Sequence, residues 1–409
     1  MKHDFTSGTF MENPETVFAP LREQAGVAQT RLPLIGKTWM TTTAAATSAM
    51  MKDDKRFTMR SKARSLSGSV AGMQWWMPGT IRILADNMLT NDEPDHRRLR
   101  KLVDQAFQRR SVTGLQQRIE EIAKALTQKM QQDICSSGSS DLIKRFARPF
   151  PLAIISELLG IPDEIRNDFA EQAARMTNIS SGWSFLSALL PLRRMRIMVG
   201  ELIQQCQDKV QRGETVEGLI GDLVQAEADG DRLSQDELIA MVFLLLIAGH
   251  ETTTHLISGS VLALVDHPDQ RNWLFETDGR IDLAVEELLR FVSPVQFTKP
   301  RHVQEDCDFH GVELKKGDLI MGGLASANFD PAEFDDPERL DLSRRPNPHL
   351  EFGTGIHFCL GFQLARLELK IALQTLFTEI PKLKIARDNL IWGKRMGLRV
   401  INALPIVEA

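Results

Sequence analysis

The chain has 409 residues, 43% of them hydrophobic and 25% charged, with a formal net charge of −5. This is an ordinary globular composition, and its mild acidity argues against general nucleic-acid binding. The four cysteines, Cys135, Cys206, Cys307 and Cys359, are scattered without disulfide-framework or metal-cluster spacing, which fits a reducing compartment.

The polar start, Met1-Lys2-His3-Asp4, lacks the apolar core of a signal peptide. The pattern predicts a helix over 14–24 and strands over 27–32 and 38–42. Residues 61–94 read as irregular, with the bulky group Trp75-Trp76-Met77 inside them. From Pro94 onward helical periodicity dominates, over 115–132, 152–159, 163–176 and 192–212. Gly160-Ile161-Pro162 reads as a helix stop. The Cys135–Asp141 stretch is only long enough for a surface loop, and no repeat of solenoid period is present, so one large domain over 1–409 is expected.

The most legible helix begins at Ser234, which forms a capping box with Glu237. It continues to Asp266-His267-Pro268, roughly 30 residues or about 45 Å. Its longest apolar run, 239–249, is about half of what a bilayer span needs, so no membrane anchor is expected. Ala248-Gly249-His250-Glu251-Thr252-Thr253 interrupts its centre. A glycine there costs about 1 kcal/mol relative to alanine, and three successive threonines are poor helix formers. Weakness in mid-helix marks a candidate site. A zinc-protease reading of His250, Glu251 and His255 fails on spacing. Five residues turn the second histidine roughly 140° from the first. An acid–alcohol pair, Glu251 and Thr252, is the better reading.

After Pro294 short strands and turns return, giving β-richer parts at about 27–60 and 295–325 and a strand-like run over 398–404. Between them lies Phe352-Gly353-Thr354-Gly355-Ile356-His357-Phe358-Cys359-Leu360-Gly361. Leu364, Leu367 and Ile371 follow at helical spacing. A cysteine just ahead of a helix sits at the positive end of its dipole, among free N–H groups, and both favour thiolate. The glycines let backbone approach a flat partner closely. A stabilised thiolate beside a planar group suggests an axial ligand to haem iron.

These ten residues resemble the haem-ligand signature of the cytochrome P450 family at every fixed position. The resemblance implies a mainly α, single-domain P450 fold with haem b between a long central helix and the cysteine loop. Cys359 is then the iron ligand. Phe352, Gly353, Ala248 and Gly361 lie against the cofactor, and His96, Arg100, Arg301 and His357 are its propionate ligands. Glu251-Thr252 matches the family's oxygen-activation motif, with small residues at 248 and 249 leaving room for dioxygen. Glu287-x-x-Arg290 matches a structural signature whose third member is expected to be Arg339, although Leu340 replaces the aromatic often found next.

The family's pocket-lining regions carry over to Trp75, Trp76, Met77, Trp183, Phe185, Phe243, Leu244, Val295, Phe297 and Met396. This apolar set implies a hydrophobic small-molecule substrate such as a fatty acid, terpenoid, steroid or polyketide. The implied reaction is monooxygenation, with dioxygen as co-substrate. Electrons would come from a ferredoxin or flavodoxin with its NAD(P)H reductase, docking on cations such as Lys101, Arg109, Arg110, Arg366 and Lys370. The alternatives are a peroxide-driven peroxygenase, which lacks the acid–alcohol pair, and a non-enzymatic haem protein that binds gas. A cytoplasmic location is expected.

Overall fold

The structure is a computed structural model that describes residues 4–32, 35–60, 86–108, 112–177, 182–228 and 231–408. In chain order the elements that build the site are α1 (Glu15–Gln24), β1 (Val27–Leu32), β2 (Gly36–Thr41), α2 (Ala44–Lys52), β3 (Phe57–Thr58), α3 (Asp95–Gln108), α4 (Gln116–Ser137), α5 (Pro149–Leu159), α6 (Asp163–Thr177), α7 (Gly182–Gln211), α8 (Gly218–Gln225), α9 (Gln235–Asp266), α10 (Ile281–Val292), β4 (Arg301–Val303), β5 (Leu319–Gly322), α11 (Leu324–Asn328), α12 (Phe362–Glu379), β6 (Ile401–Ala403) and β7 (Pro405–Glu408). Helix predominates, as the periodicity predicts. The chain divides into two compact units. One comprises 1–64, 123–149 and 252–409, the other 65–122 and 150–251.

The first unit is organised by a five-stranded sheet in the order β1-β2-β5-β4-β3. β1 and β2 form an antiparallel pair with Val27 opposite Thr41, and β5 joins β2 in parallel with Ile320 opposite Trp39. In β1, Thr30 and Leu32 are buried whereas Gln29 and Arg31 face solvent, the period-two signature of a half-buried strand. Two apolar clusters among the described residues pack against this sheet. Phe5, Phe10, Phe18 and Phe297 pack mostly edge to face in one. Met50, Met51, Phe57, Val303, Phe309 and Leu324 fill the other. The C-terminal run divides differently from the sequence expectation. Ile401–Ala403 is one strand, and Pro405 opens the next, a first position that asks no ladder N–H of proline.

The second unit is helical. The capping box that opens α9 is formed: Glu237 accepts from Ser234 N at 2.8 Å, and Ser234 Oγ accepts from Glu237 N at 3.3 Å. Arg98 of α3 pairs with the same Glu237, so one carboxylate caps a helix and holds another. α7 starts at Gly182 and carries Pro191 within it, rather than starting at 192. α9 is long and apolar enough to cross a membrane, yet 72% of its most apolar window is buried inside the protein, as a core helix should be.

The helix stop at 160 is also a close crossing. Gly160 and Gly218 are both left-handed, at φ 80° and 87°. A Cβ on Gly218 would lie 2.4 Å from the Gly160 Cα, and one on Gly160 2.7 Å from the Gly218 Cα. The end of α5 and the start of α8 thus touch backbone to backbone. Gly160→Ala should cost roughly 2–4 kcal/mol, combining left-handed strain with overpacking. Gly138→Ala is the control, because Gly138 is left-handed at φ 78° with nothing within 4 Å, and only the strain remains. Equal urea midpoints for the two variants would contradict the crossing.

Candidate active site

The cysteine loop is shaped by backbone contacts before any cofactor is considered. Gly353 and Gly355 take φ 66° and 74°. A Cβ on Gly353 would meet Met51 Cε at 2.8 Å, and one on Gly355 would meet Met51 O at 2.6 Å. These two glycines therefore serve the approach of the α2 C-terminus. Gly361 differs: among the described residues no atom lies within 4 Å of its Cβ position, so that side of the backbone is open. Cys359 N donates to Phe352 O at 3.0 Å, and the half-buried thiol stands three residues before α12. Phe358 beside it is 36% exposed.

Arg301 is delivered by β4 into the interior, 3% exposed, and donates to Met51 O at 3.1 Å. Met51 thus contacts both the glycine loop and Arg301. His357 is half-buried in the 3₁₀ turn Gly355–His357 of the same loop. In the other unit His96 and Arg100 share one face of α3. His96 is 3% exposed, and burial, helped by Arg100, pushes its pKa down against the pull of Glu93. Arg100 reaches Asp104 at 3.1 Å.

At the centre of α9 the residues not fully buried are Leu244, Ile247, Ala248, Gly249 and Thr252, while Phe243, His250, Glu251 and His255 are buried. Leu244, Ile247, Ala248 and Thr252 stand at i, i+3, i+4 and i+8, one open stripe on a core helix. Gly249 corrects the sequence reading of a groove at 248–249. Its missing Cβ is matched by Ile155 of α5 at 3.2 Å, so it is a helix-packing glycine, and Ala248 alone is the open small residue. His250 Nδ1 lies 2.6 Å from Leu246 O, and among the described residues no three His, Cys, Asp or Glu side chains gather as a metal cluster.

The Glu-x-x-Arg pair is fully buried, with Arg290 forked onto Glu287 at 2.7 and 2.8 Å. The expected third member, Arg339, is a misassignment. Its side chain is exposed, and only its carbonyl takes part, accepting from Arg290 at 3.3 Å. Arg344 is the arginine that reaches Glu287, at 3.1 Å, joined by Asn347 Nδ2 at 3.0 Å. The turn at Asp336, φ 44°, precedes this return of the chain.

Arg366 also departs from its expected role as a free docking cation. It forks onto Glu286 at 2.5 and 2.7 Å and stacks on Phe352 with its guanidinium carbon 4.6 Å from the ring centre. Burial alone would raise the Glu286 carboxyl, but Arg366 and His349 outweigh it and hold the pKa at about 2. Lys370 is paired with Asp282 at 2.8 Å. Of the expected pocket residues, Phe297 and Met396 belong to the aromatic core around Phe5, and Phe243 lies within the core. Val295 is half-buried and bridges to Leu398. Trp75, Trp76, Met77 and Arg109–Arg110 lie outside the described residues, and the side chains of Trp183 and Phe185 do as well.

A haem fits these residues. The half-buried cysteine is a soft sulfur donor, the open side of Gly361 and the exposed Phe358 offer an apolar surface for a flat ring, and a buried arginine suits a propionate.

The profile of the family described as Cytochrome P450 matches residues 76–276 and 281–380. The polyketide biosynthesis cytochrome P450 PksS of Bacillus subtilis is 38% identical over 97% of this chain and 96% of its own length, and its solved structure superposes with a TM-score of 0.88. Vitamin D(3) 25-hydroxylase of Pseudonocardia autotrophica is 38% identical over 99% and 96%. The structure of P450BioI in complex with an acyl carrier protein ligated to hexadec-9Z-enoic acid matches at 32% identity, covering 98% and 99%, with a TM-score of 0.85. A matched profile over most of the chain, full-length relatives and a cysteine loop suited to haem lead to one conclusion: the chain belongs to the cytochrome P450 family and is a haem b monooxygenase.

Proposed function

We propose that this monooxygenase inserts one oxygen atom of dioxygen into a hydrophobic small molecule of the polyketide, fatty acyl or steroid type, by hydroxylation or epoxidation. Its electrons come from a separate ferredoxin or flavodoxin with an NAD(P)H reductase. When bound, haem supplies the reductive activation of dioxygen. Cys359 is the residue that holds the iron, and His96, Arg100, Arg301 and His357 are the cations for its propionates. Phe352, Gly353, Gly361 and Ala248 are its apolar neighbours. The observation that carries the reading is the half-buried Cys359, its N–H held by Phe352 O, three residues before the positive end of α12.

The apolar stripe of Leu244, Ile247 and Ala248 supports a hydrophobic substrate, as do relatives named for polyketide biosynthesis and vitamin D hydroxylation. We also propose that residues 1–409 act as one catalytic domain, since the family match crosses both compact units. A cytoplasmic location is proposed on the burial of the long apolar helix α9. The first test is the difference spectrum of the reduced, carbon monoxide-bound protein, expected to show a strongly red-shifted Soret band. Turnover with each electron-transfer pair then identifies the donor, and turnover on peroxide alone would favour a peroxygenase.

Thr252 is assigned the hydroxyl that donates a proton to the oxygen being reduced, and Glu251 the carboxyl that replenishes it. Thr252→Ala should keep consuming NAD(P)H while hydrogen peroxide rises and product falls. Unchanged product per NAD(P)H would remove Thr252 from proton delivery.

A further inference from the structure

Both ends of the Cys359 loop reach one carboxylate of α10. Behind the loop, Arg366 of α12 forks onto Glu286. Ahead of it, His349 is buried, its side chain 4% exposed, and its Nε2 lies 3.1 Å from Glu286 Oε2. The other ring nitrogen, Nδ1, accepts from the backbone N–H of Glu351 at 3.3 Å. These two contacts fix the tautomer. Nδ1 faces a donor and must accept, so the ring proton sits on Nε2 and is donated to the carboxylate. The ring of Phe352 meets both arms, with the Arg366 guanidinium carbon 4.6 Å from its centre and the His349 ring centre at 5.9 Å. Phe352 O in turn accepts from Cys359 N at 3.0 Å.

We infer that His349 and Glu286 are positioning residues, which staple the start and the end of the Cys359 loop to α10. The neighbouring carboxylate has a different task, since Glu287 is taken up by Arg290, Arg344 and Asn347. A neutral imidazole suits the entry to the loop because one rigid ring offers an acceptor to the Glu351 backbone and a donor to Glu286. Groups that orient a metal ligand in this way govern how firmly the metal is held and how well it works. The effect on iron rests on the reading of Cys359 given above, whereas the stapling of the loop does not.

The test compares haem-loaded wild type, His349→Asn, His349→Gln and Glu286→Gln by amide hydrogen exchange over residues 350–361 and by the reduced carbon monoxide spectrum. Asparagine keeps an acceptor at the Nδ1 position and loses the donor to Glu286. Glutamine places an amide N–H where Nε2 stood and keeps that donor. His349→Asn should exchange roughly tenfold faster over 350–361, the factor expected for one lost hydrogen bond to a charged group. It should also move part of the carbon monoxide complex to the shorter-wavelength form. His349→Gln should stay close to wild type in both readouts. Glu286→Gln weakens both arms and should exchange at least as fast as His349→Asn. Wild-type exchange in His349→Asn and Glu286→Gln, or a glutamine at 349 as damaging as asparagine, overturns the proposal. So does a lowered urea midpoint with loop exchange and spectrum unchanged, the signature of a purely structural pair. If His349→Asn does not fold, Glu286→Gln is read against the same outcomes. A wild-type spectrum without the red shift would instead sink the reading of Cys359 and leave the exchange result standing.

Discussion

Cys359→Ser is expected to abolish the red-shifted carbon monoxide band and to bring monooxygenation down to background. The two side chains are nearly the same size, so the effect is one of charge. A thiol ahead of α12 is drawn toward thiolate by the free N–H groups of the first turn and by the helix dipole. A serine hydroxyl titrates far too high for the same surroundings to ionise it. A serine in place of Cys359 would therefore offer haem no anionic sulfur, the donor whose electron donation would favour O–O cleavage. Haem should still be retained in part if His96, Arg100, Arg301 and His357 hold its propionates as proposed, since all four are untouched. The measurement is haem content and the reduced carbon monoxide spectrum, side by side with wild type. A red-shifted band that survives the substitution would remove Cys359 from the axial position.

The second large effect is expected in the buried ion pair. Arg290→Ala leaves Glu287 charged in a site where both residues are 0% exposed, a loss of about 3–5 kcal/mol. Arg290 also donates to the carbonyls of Asn328 at 2.9 Å and Pro337 at 2.8 Å, so the surrounding loop loses its anchor as well. Arg344→Ala should cost less, about 1.5–3 kcal/mol, because the fork between Arg290 and Glu287 remains. Arg339→Ala should stay within about 0.5 kcal/mol, since the carbonyl it contributes is retained. Urea denaturation of the haem-loaded variants orders the three. An Arg339 variant weaker than the Arg344 variant would restore Arg339 as the third member.

That misassignment shows where sequence reading stops. Ser234 and Glu237 predicted the start of α9 because a capping box is local, set by three residues of chain. Gly160-Ile161-Pro162 predicted a stop for the same reason. Arg344 reaches Glu287 only after the chain turns at Asp336 and comes back, so position in the sequence does not distinguish it from Arg339. Gly249 is a second case. A glycine that opens a groove and one that admits Ile155 look alike in sequence, and the neighbour decides. Phe297 is a third: its partners Phe5, Phe10 and Phe18 lie almost 300 residues upstream. The cysteine loop was legible because its constraints, left-handed glycines and a helix start, lie within ten residues.

The engagement of Arg366 changes how a charge-reversal scan of this enzyme should be interpreted. Its guanidinium joins Glu286 to the ring of Phe352, whose carbonyl holds the Cys359 N–H. Reversing that charge would loosen the Cys359 loop from inside, and, with Cys359 as the proposed iron ligand, slower electron transfer would follow even if the donor bound as before. Lys370 is the better reporter of docking, because among the described residues its ion pair is a single contact with the exposed Asp282. A loss of rate at position 366 together with a moved Soret band measures the ligand. A loss at position 370 with the spectrum intact measures the partner.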